Sequence, residues 1–338
     1  MAATETTDEA DIVFDRSAVE MEEVLERGGY HVEVWSAKLK LPTGDTYKTI
    51  VKRVRGVNMK EALKLKNLQH RNILKFYGVM RKDEEFSTFI IMEYAENGTI
   101  RNYLDERRWN HRIRIPNDKL WKWVYEGACA IHYLQSINHD HRDIKSSNYL
   151  LDQDWTVKIG DLSVSKDLDF TQENGVRGTV RWMAPEVIKE QLRSTKSDVF
   201  SFGIIIWEMF TTDMPYTNKR GDFQVMNAIC TGQRPRIPVD CPQPLIKLMQ
   251  ECWDEDYNSR PEFMQILTTL RKCEFCFYGI NVIHALKEYY EIVDEAHPLS
   301  GFFPTHADFL QKCILNHETK QSSKFQSDPS SNCFTIDV

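Results

Sequence analysis

The run His141-Arg142-Asp143-Ile144-Lys145-Ser146-Ser147-Asn148 decides how this chain is read. It puts an aspartate, a lysine two residues on and an asparagine five residues on in one short loop, behind a segment of helical periodicity. Those side chains suit phosphoryl transfer. Asp143 can orient a hydroxyl and accept its proton, Lys145 can neutralise phosphate charge, and Asn148 can ligate Mg²⁺ beside a second carboxylate. A three-residue match recurs by chance, so the order of the later motifs matters. Asp161 comes 13 residues after Asn148, behind the run Thr156-Val157-Lys158-Ile159, and Ala184-Pro185-Glu186 stands further on.

This ordered set resembles the protein kinase family. Gly178-Thr179 before Trp182-Met183-Ala184-Pro185-Glu186, together with Lys145, is similar to serine/threonine kinases of the tyrosine-kinase-like branch. The short interval from Lys52 to Glu61 is similar to that of mixed-lineage and leucine-zipper/SAM-type MAP kinase kinase kinases. The resemblance implies an α+β, two-lobe kinase fold over about residues 22–271. A small β-rich N-lobe with one helix would span about 22–95, and a large helical C-lobe about 96–271. It implies ATP and Mg²⁺ as cofactors and Ser/Thr residues of protein substrates as acceptors. By analogy it suggests a place in stress-type MAP kinase signalling, with an upstream activator unnamed.

The resemblance also assigns roles. Lys52, in Thr49-Ile50-Val51-Lys52, would hold the α- and β-phosphates, and Glu61 would fix Lys52. Asp161, with Asn148, would hold the metal. Ile90-Ile91-Met92-Glu93-Tyr94-Ala95 would bind adenine through backbone groups of Glu93 and Ala95, with Met92 as gatekeeper. Val34, Ile50 and Leu150 would sandwich the ring. Leu65, Phe76, His141 and Leu162 would stack as an apolar column through both lobes. Glu186 should pair with Arg260, and Asp198 should bond backbone at the catalytic loop.

Three departures keep a second reading open. Arg27, Gly29 and Val32 fall at the three glycine positions of the phosphate loop, where glycine lets the backbone approach phosphate. A plain Gly28-Gly29 hairpin turn is the alternative for that segment. Ser163 stands where glycine follows the metal aspartate and its neighbour, and Asp140 stands where an apolar residue precedes the histidine. A catalytically weak pseudokinase, acting as a nucleotide-binding signalling scaffold, is therefore the alternative to an active enzyme. Thr171, mid-way through the segment after Asp161, is the expected phosphosite; its phosphate could pair with Arg142.

Composition bounds the rest. The chain has 338 residues, 41% of them hydrophobic, and a net charge of −7 without a Lys/Arg block, which gives no footprint for nucleic acid. The longest apolar-rich run, residues 199–210, is too short to span a bilayer and contains Glu208. Residues 1–21 read as a flexible acidic leader without a signal-peptide pattern. Eight scattered cysteines fit reduced thiols, and a cytoplasmic location is expected.

Local patterning predicts strands over 33–37 and 48–52 about a turn at Pro42-Thr43-Gly44-Asp45, a helix over 60–69, and strands over 76–80 and 86–93. Helices are expected over 99–106, over 120–135 with Asp118 as N-cap, over 197–210, and within 242–270. Residues 272–316 read as a partly helical extension and 317–338 as a disordered tail. The terminal Phe334-Thr335-Ile336-Asp337-Val338 offers weak PDZ-type docking by strand addition.

Overall fold

The computed structural model describes residues 12–27, 33–55, 57–81, 87–109, 113–162 and 180–273. Gly29, Val32, Ser163, Thr171, Thr179 and everything from residue 274 onward, including the expected extension, tail and PDZ-type terminus, lie outside the described residues.

Alternating apolar and polar residues between residues 13 and 93 produce a six-stranded sheet. Its strands are β1 (Val13–Phe14), β2 (Val19–Arg27), β3 (Glu33–Lys40), β4 (Thr46–Arg55), β5 (Phe76–Arg81) and β6 (Ser87–Glu93). The spatial order is β1-β5-β6-β4-β3-β2. The turn between β3 and β4 forms where expected, with Leu41 N–H bonded to Asp45 O at 2.8 Å. One sheet face carries Ala37, Leu39, Val51, Tyr77, Met80 and Ile91, which pack together with Val19 as a buried cluster. Each large apolar side chain among them contributes about 1.5–3 kcal/mol by leaving water. The one α-helix among the described residues of this lobe, α1 (Met59–Lys66), starts where the Asn58 side chain accepts the Lys60 N–H.

Residues 12–21, expected as part of a flexible leader, are instead built into the sheet. They carry β1, a 3-10 turn over Arg16–Ala18 and the start of β2. Ile12 is fully buried, and Val13 and Phe14 pair in parallel with Val79 and Met80. Gly78 makes the approach possible, because a Cβ there would lie 2.3 Å from the Ile12 carbonyl oxygen and 2.7 Å from the Phe14 ring. Two register shifts in β2, between Met21 and Val24 and between Val24 and Glu26, break its period of two.

Among the described residues from Ile100 to Cys273 helices dominate: α2 (Ile100–Trp109), α3 (Asn117–Ser136), α4 (Pro185–Glu190), α5 (Thr195–Thr211), α6 (Gly221–Cys230), α7 (Gln243–Cys252) and α8 (Phe263–Cys273). Between α3 and α4 a small antiparallel hairpin pairs β7 (Tyr149–Leu151) with β8 (Val157–Ile159). Asp118 is not the cap of α3. Pro116 occupies that position, and Asp118 lies in the first turn, where an acid meets the positive end of the helix dipole. Helix α5 begins at Thr195, before the expected Ser197, and its start is held by Ser197 Oγ, which accepts the Ser194 N–H at 3.0 Å. Every residue of α5 from Ser197 to Thr211 is buried, which explains its uniformly apolar character. Among the described residues no helix is long and apolar enough to cross a membrane. Cys129, Cys241 and Cys252 are buried and form no disulfide.

Candidate active site

The site is built from one face of the sheet and the loops beneath it. Cross-strand partners share a face. Val34 pairs with Lys52, Lys52 with Ile90, and Ile50 with Met92. Val34, Ile50, Lys52 and Met92 therefore project from one side of the sheet, opposite the buried cluster. All four are half-buried, while Val51 and Ile91 on the other face are fully enclosed. Apolar side chains left half-open on a sheet face fit a surface that a flat ring would cover.

Lys52 leaves this face to meet Asp161, Nζ to Oδ1 at 2.5 Å. Partial burial opposes the ionisation of Asp161, but the Lys52 ammonium outweighs this and holds the carboxyl below its ordinary value. Asp161 adopts a left-handed φ of 58°. Gly160 before it has no room for a side chain, since a Cβ would lie 2.7 Å from Leu150 Cδ1.

The catalytic loop is fixed from three directions. Asp198 in α5 accepts His141 N–H at 2.9 Å and Arg142 N–H at 3.0 Å, one on each carboxylate oxygen. Burial pushes the Asp198 carboxyl up to about 7, against the pull of those two N–H groups. Arg142 takes a left-handed φ of 68° at this point. The His141 ring accepts Asp143 N–H at Nδ1, 3.3 Å away. A backbone N–H can only donate, so the ring proton is on Nε2, which donates to Gly160 O at 3.0 Å. Burial lowers the His141 pKa and keeps the ring neutral. Leu65, Phe76, His141 and Leu162, the four members of the expected column, are all buried.

Asp143, Lys145, Asn148 and the strand end bearing Asp161 form one connected set. Lys145 Nζ lies 2.6 Å from Asp143 Oδ2. Asn148 Nδ2 donates to Asp143 O at 2.7 Å and to Asp143 Oδ2 at 3.1 Å. Asn148 O accepts Gly160 N–H at 2.9 Å, which ties the loop to the residue beside Asp161. Asp143 and Lys145 keep about a fifth of their side-chain surface open, so both can reach a ligand.

The hinge strand leads into the helical lobe through side-chain ties. Glu93 forms an ion pair with Lys158 of β8 at 3.0 Å and accepts Lys75 N–H at 3.0 Å. Leu150 and Ala95 are joined to the same region, since Leu150 bridges to Thr99 and Gly98 N–H donates to Ala95 O. Glu61 lies on α1, and its side chain is outside what the structure describes. Gly29 and Thr171 lie outside the described residues altogether.

The described residues of the site can be set against what transfer from ATP requires. Among the described residues no three of His, Cys, Asp and Glu cluster to hold a metal. Asn148 and Asp161 instead provide a sparse oxygen set, which suits Mg²⁺, an ion that keeps phosphate oxygens and water in its shell. Bound ATP and Mg²⁺ would supply the γ-phosphoryl group and the charge neutralisation. With them bound, Lys52 beside Asp161 would face phosphate and metal, Asp143 the acceptor hydroxyl and Lys145 the developing charge.

This geometry and the sequence agree on the class. The family profile described as protein tyrosine and serine/threonine kinase matches residues 19–270. The chain belongs to that family. It is 31% identical over 274 residues to the serine/threonine/tyrosine-protein kinase HT1 of Arabidopsis thaliana, covering 79% of this chain and 64% of that protein. It is 32% identical over 253 residues to the ephrin type-A receptor 1 of Mus musculus and to that of Homo sapiens, covering 71% of this chain and 25% of each receptor. The chain thus spans somewhat under two thirds of the plant kinase and a quarter of the receptors.

Sequence reasoning missed a second set of residues. Glu208, the one acid inside the apolar stretch of α5, is fully buried and receives three donors. An acid in an otherwise apolar helix was the signal that could have found it.

Proposed function

We propose that this chain is an ATP- and Mg²⁺-dependent protein kinase that transfers the γ-phosphate to Ser/Thr hydroxyls of protein substrates. The observation that carries this reading is the connected set of Lys52, Asp161, Asn148, Asp143 and Lys145, in which each charged group has a partner suited to its role. The Lys145–Asp143 contact supports Ser/Thr acceptors, because this lysine belongs to the serine/threonine form of the loop. The plant relative's name covers Ser, Thr and Tyr, so the acceptor is the point to test. Similarity to mixed-lineage kinases supports a cytoplasmic role in stress-type MAP kinase signalling, with Thr171 as the activating phosphosite.

The test is incubation of the purified chain with radiolabelled ATP, Mg²⁺ and a generic basic protein, followed by phosphoamino-acid analysis, with Asp143→Asn as control. Labelled phosphoserine or phosphothreonine that disappears in the control is the expected result. Phosphotyrosine alone would overturn the acceptor assignment. Nucleotide binding without transfer would favour the scaffold reading, for which Val32 and Ser163 speak.

A further inference from the structure

Four separated pieces of the helical lobe meet at one carboxylate. Glu208, on α5, is completely enclosed. Its Oε1 accepts Ser146 Oγ–H at 2.9 Å and Arg101 Nη1–H at 2.9 Å. Its Oε2 accepts Trp182 Nε1–H at 2.9 Å. Ser146 is fully buried, follows Lys145 directly and opens the 3-10 turn that ends at Asn148. Trp182 closes the turn Val180–Trp182, which lies just before the Ala184-Pro185-Glu186 run. Trp182 is gripped twice by α5, since its carbonyl also accepts Ser201 Oγ–H at 2.7 Å. Arg101 is oriented by Asp105, Nε to Oδ2 at 2.8 Å.

The two oxygens therefore serve two different parts of the machinery. One holds the loop that presents Lys145 and Asn148; the other holds the end of the segment that starts at Asp161. A buried carboxylate is tolerable only while its donors are in place. Burial raises the Glu208 pKa and the Arg101 guanidinium opposes that rise. If Trp182 moves away, Oε2 loses its donor in a dry site. The carboxylate must then turn or take up a proton, and either response disturbs Oε1 and Ser146.

Resting on the kinase reading above, we propose that Glu208 is a positioning residue that couples the place of Trp182 to the set of the catalytic loop at Ser146. It touches neither nucleotide nor acceptor. It makes alignment of Lys145 and Asn148 conditional on Trp182 being docked against α5.

The chemistry of an amide separates this role from simple packing. In Glu208→Gln only one oxygen remains to accept, and the amide NH₂ must face a donor. In Trp182→Phe the ring is kept and the N–H is lost. With both changes together, the new amide NH₂ would have no donor to oppose it, and the amide oxygen could still accept from Ser146 and Arg101.

The experiment is a double-mutant cycle on the full chain with Glu208→Gln, Trp182→Phe and the pair, with Ser146→Ala alongside. It reads kcat, the ATP KM and amide hydrogen exchange over residues 144–148. Each single variant should lose about 10- to 100-fold in kcat, the range that a small misplacement of reacting groups produces. The ATP KM should change less than kcat, because Lys52 and the sheet face beside it are untouched. Exchange over 144–148 should rise. Glu208→Gln should cost much less in the Trp182→Phe background than in wild type. Additive losses, or an unchanged kcat in either Glu208→Gln or Ser146→Ala, would overturn the coupling. A wild-type chain that transfers no phosphate would defeat the kinase reading instead. The exchange cycle would still decide the coupling: non-additive protection supports it, and additive protection sinks it.

Discussion

Arg260 and Glu186 are locked together as a two-pronged ion pair, Nη1 to Oε1 at 2.6 Å and Nη2 to Oε2 at 2.9 Å, with both side chains buried. Arg260 also donates to Lys196 O and Asp254 O, so its donors are committed to a fixed fork. The pair anchors the Ala184-Pro185-Glu186 corner to the far side of the helical lobe. Arg260→Met strands the Glu186 charge in the interior, and a loss of about 3–5 kcal/mol in unfolding free energy is expected. Urea unfolding of the variant measures it. A change under about 1 kcal/mol would mean that Glu186 finds water or another cation.

The Lys52–Asp161 contact yields a test of two kinds. Lys52→Met should lower transfer by about a hundredfold or more, the scale of losing one aligned electrostatic stabiliser. It should also let the Asp161 pKa rise, since the ammonium is what holds it down. Turnover and the carboxyl titration, followed by NMR in the same variant, check both. Turnover near the wild-type level would remove Lys52 from the site.

Asp198 predicts a pH dependence. Its carboxyl is raised to about 7 from an ordinary 3.8 by burial. A raised acid favours the folded state when protonated, so its contribution is complete below the unfolded value and is lost as pH climbs toward about 7. The slope is at most about 1.4 kcal/mol per pH unit within that window. Denaturant unfolding of wild type and Asp198→Asn at pH 5, 6, 7 and 8 is the measurement. At pH 8, where Asp198 is ionised, the variant lacks one of the two oxygens that accept the N–H groups of His141 and Arg142. Its loss of stability between pH 5 and 7 should be shallower. Parallel slopes would assign the dependence to another group.

Gly78 should not tolerate a side chain. A Cβ there meets the Ile12 backbone oxygen, which cannot step aside as a flexible side chain could. Gly78→Ala should displace β1 at a cost of about 1–3 kcal/mol, the usual range for overpacking. Amide exchange at residues 12–14 should accelerate while that of β3 and β4 holds. Unchanged protection at 12–14 would show that the sheet adapts around the new methyl.

Much of the fold and most of the site were legible because their signals are local and ordered. The motif around Asp143 and Asn148, the strand ending in Lys52, and Asp161 behind an apolar strand each carry residue types that chemistry dictates at fixed spacing. The cross-strand register then places Val34, Ile50 and Met92 beside Lys52, as period-two patterning implies. Two features were hidden. β1 and the start of β2 read as a leader, because β1 is two residues long and β2 is bulged, so neither shows a clean alternation. Glu208 stood out as an acid in an apolar run, but its donors, Arg101, Ser146 and Trp182, are far apart in the chain, and no sequence period connects them. Asp118 misled as a cap because an acid is favourable both at the cap and in the first turn.

Strand β1 has one more consequence. A strand at the margin of a sheet presents unpaired N–H and C=O groups that can template pairing with another molecule. Val13 and Phe14 occupy that margin on β5, so the molecule covers its own adhesive border with two residues. A shortened version beginning at Val19, where the family match starts, would keep the chemistry of Lys52 through Asp161 and yet leave the β5 border open. Such a version should be prone to sticking to itself edge to edge, and its failure to stay dispersed would reflect a missing cover rather than a faulty catalytic centre.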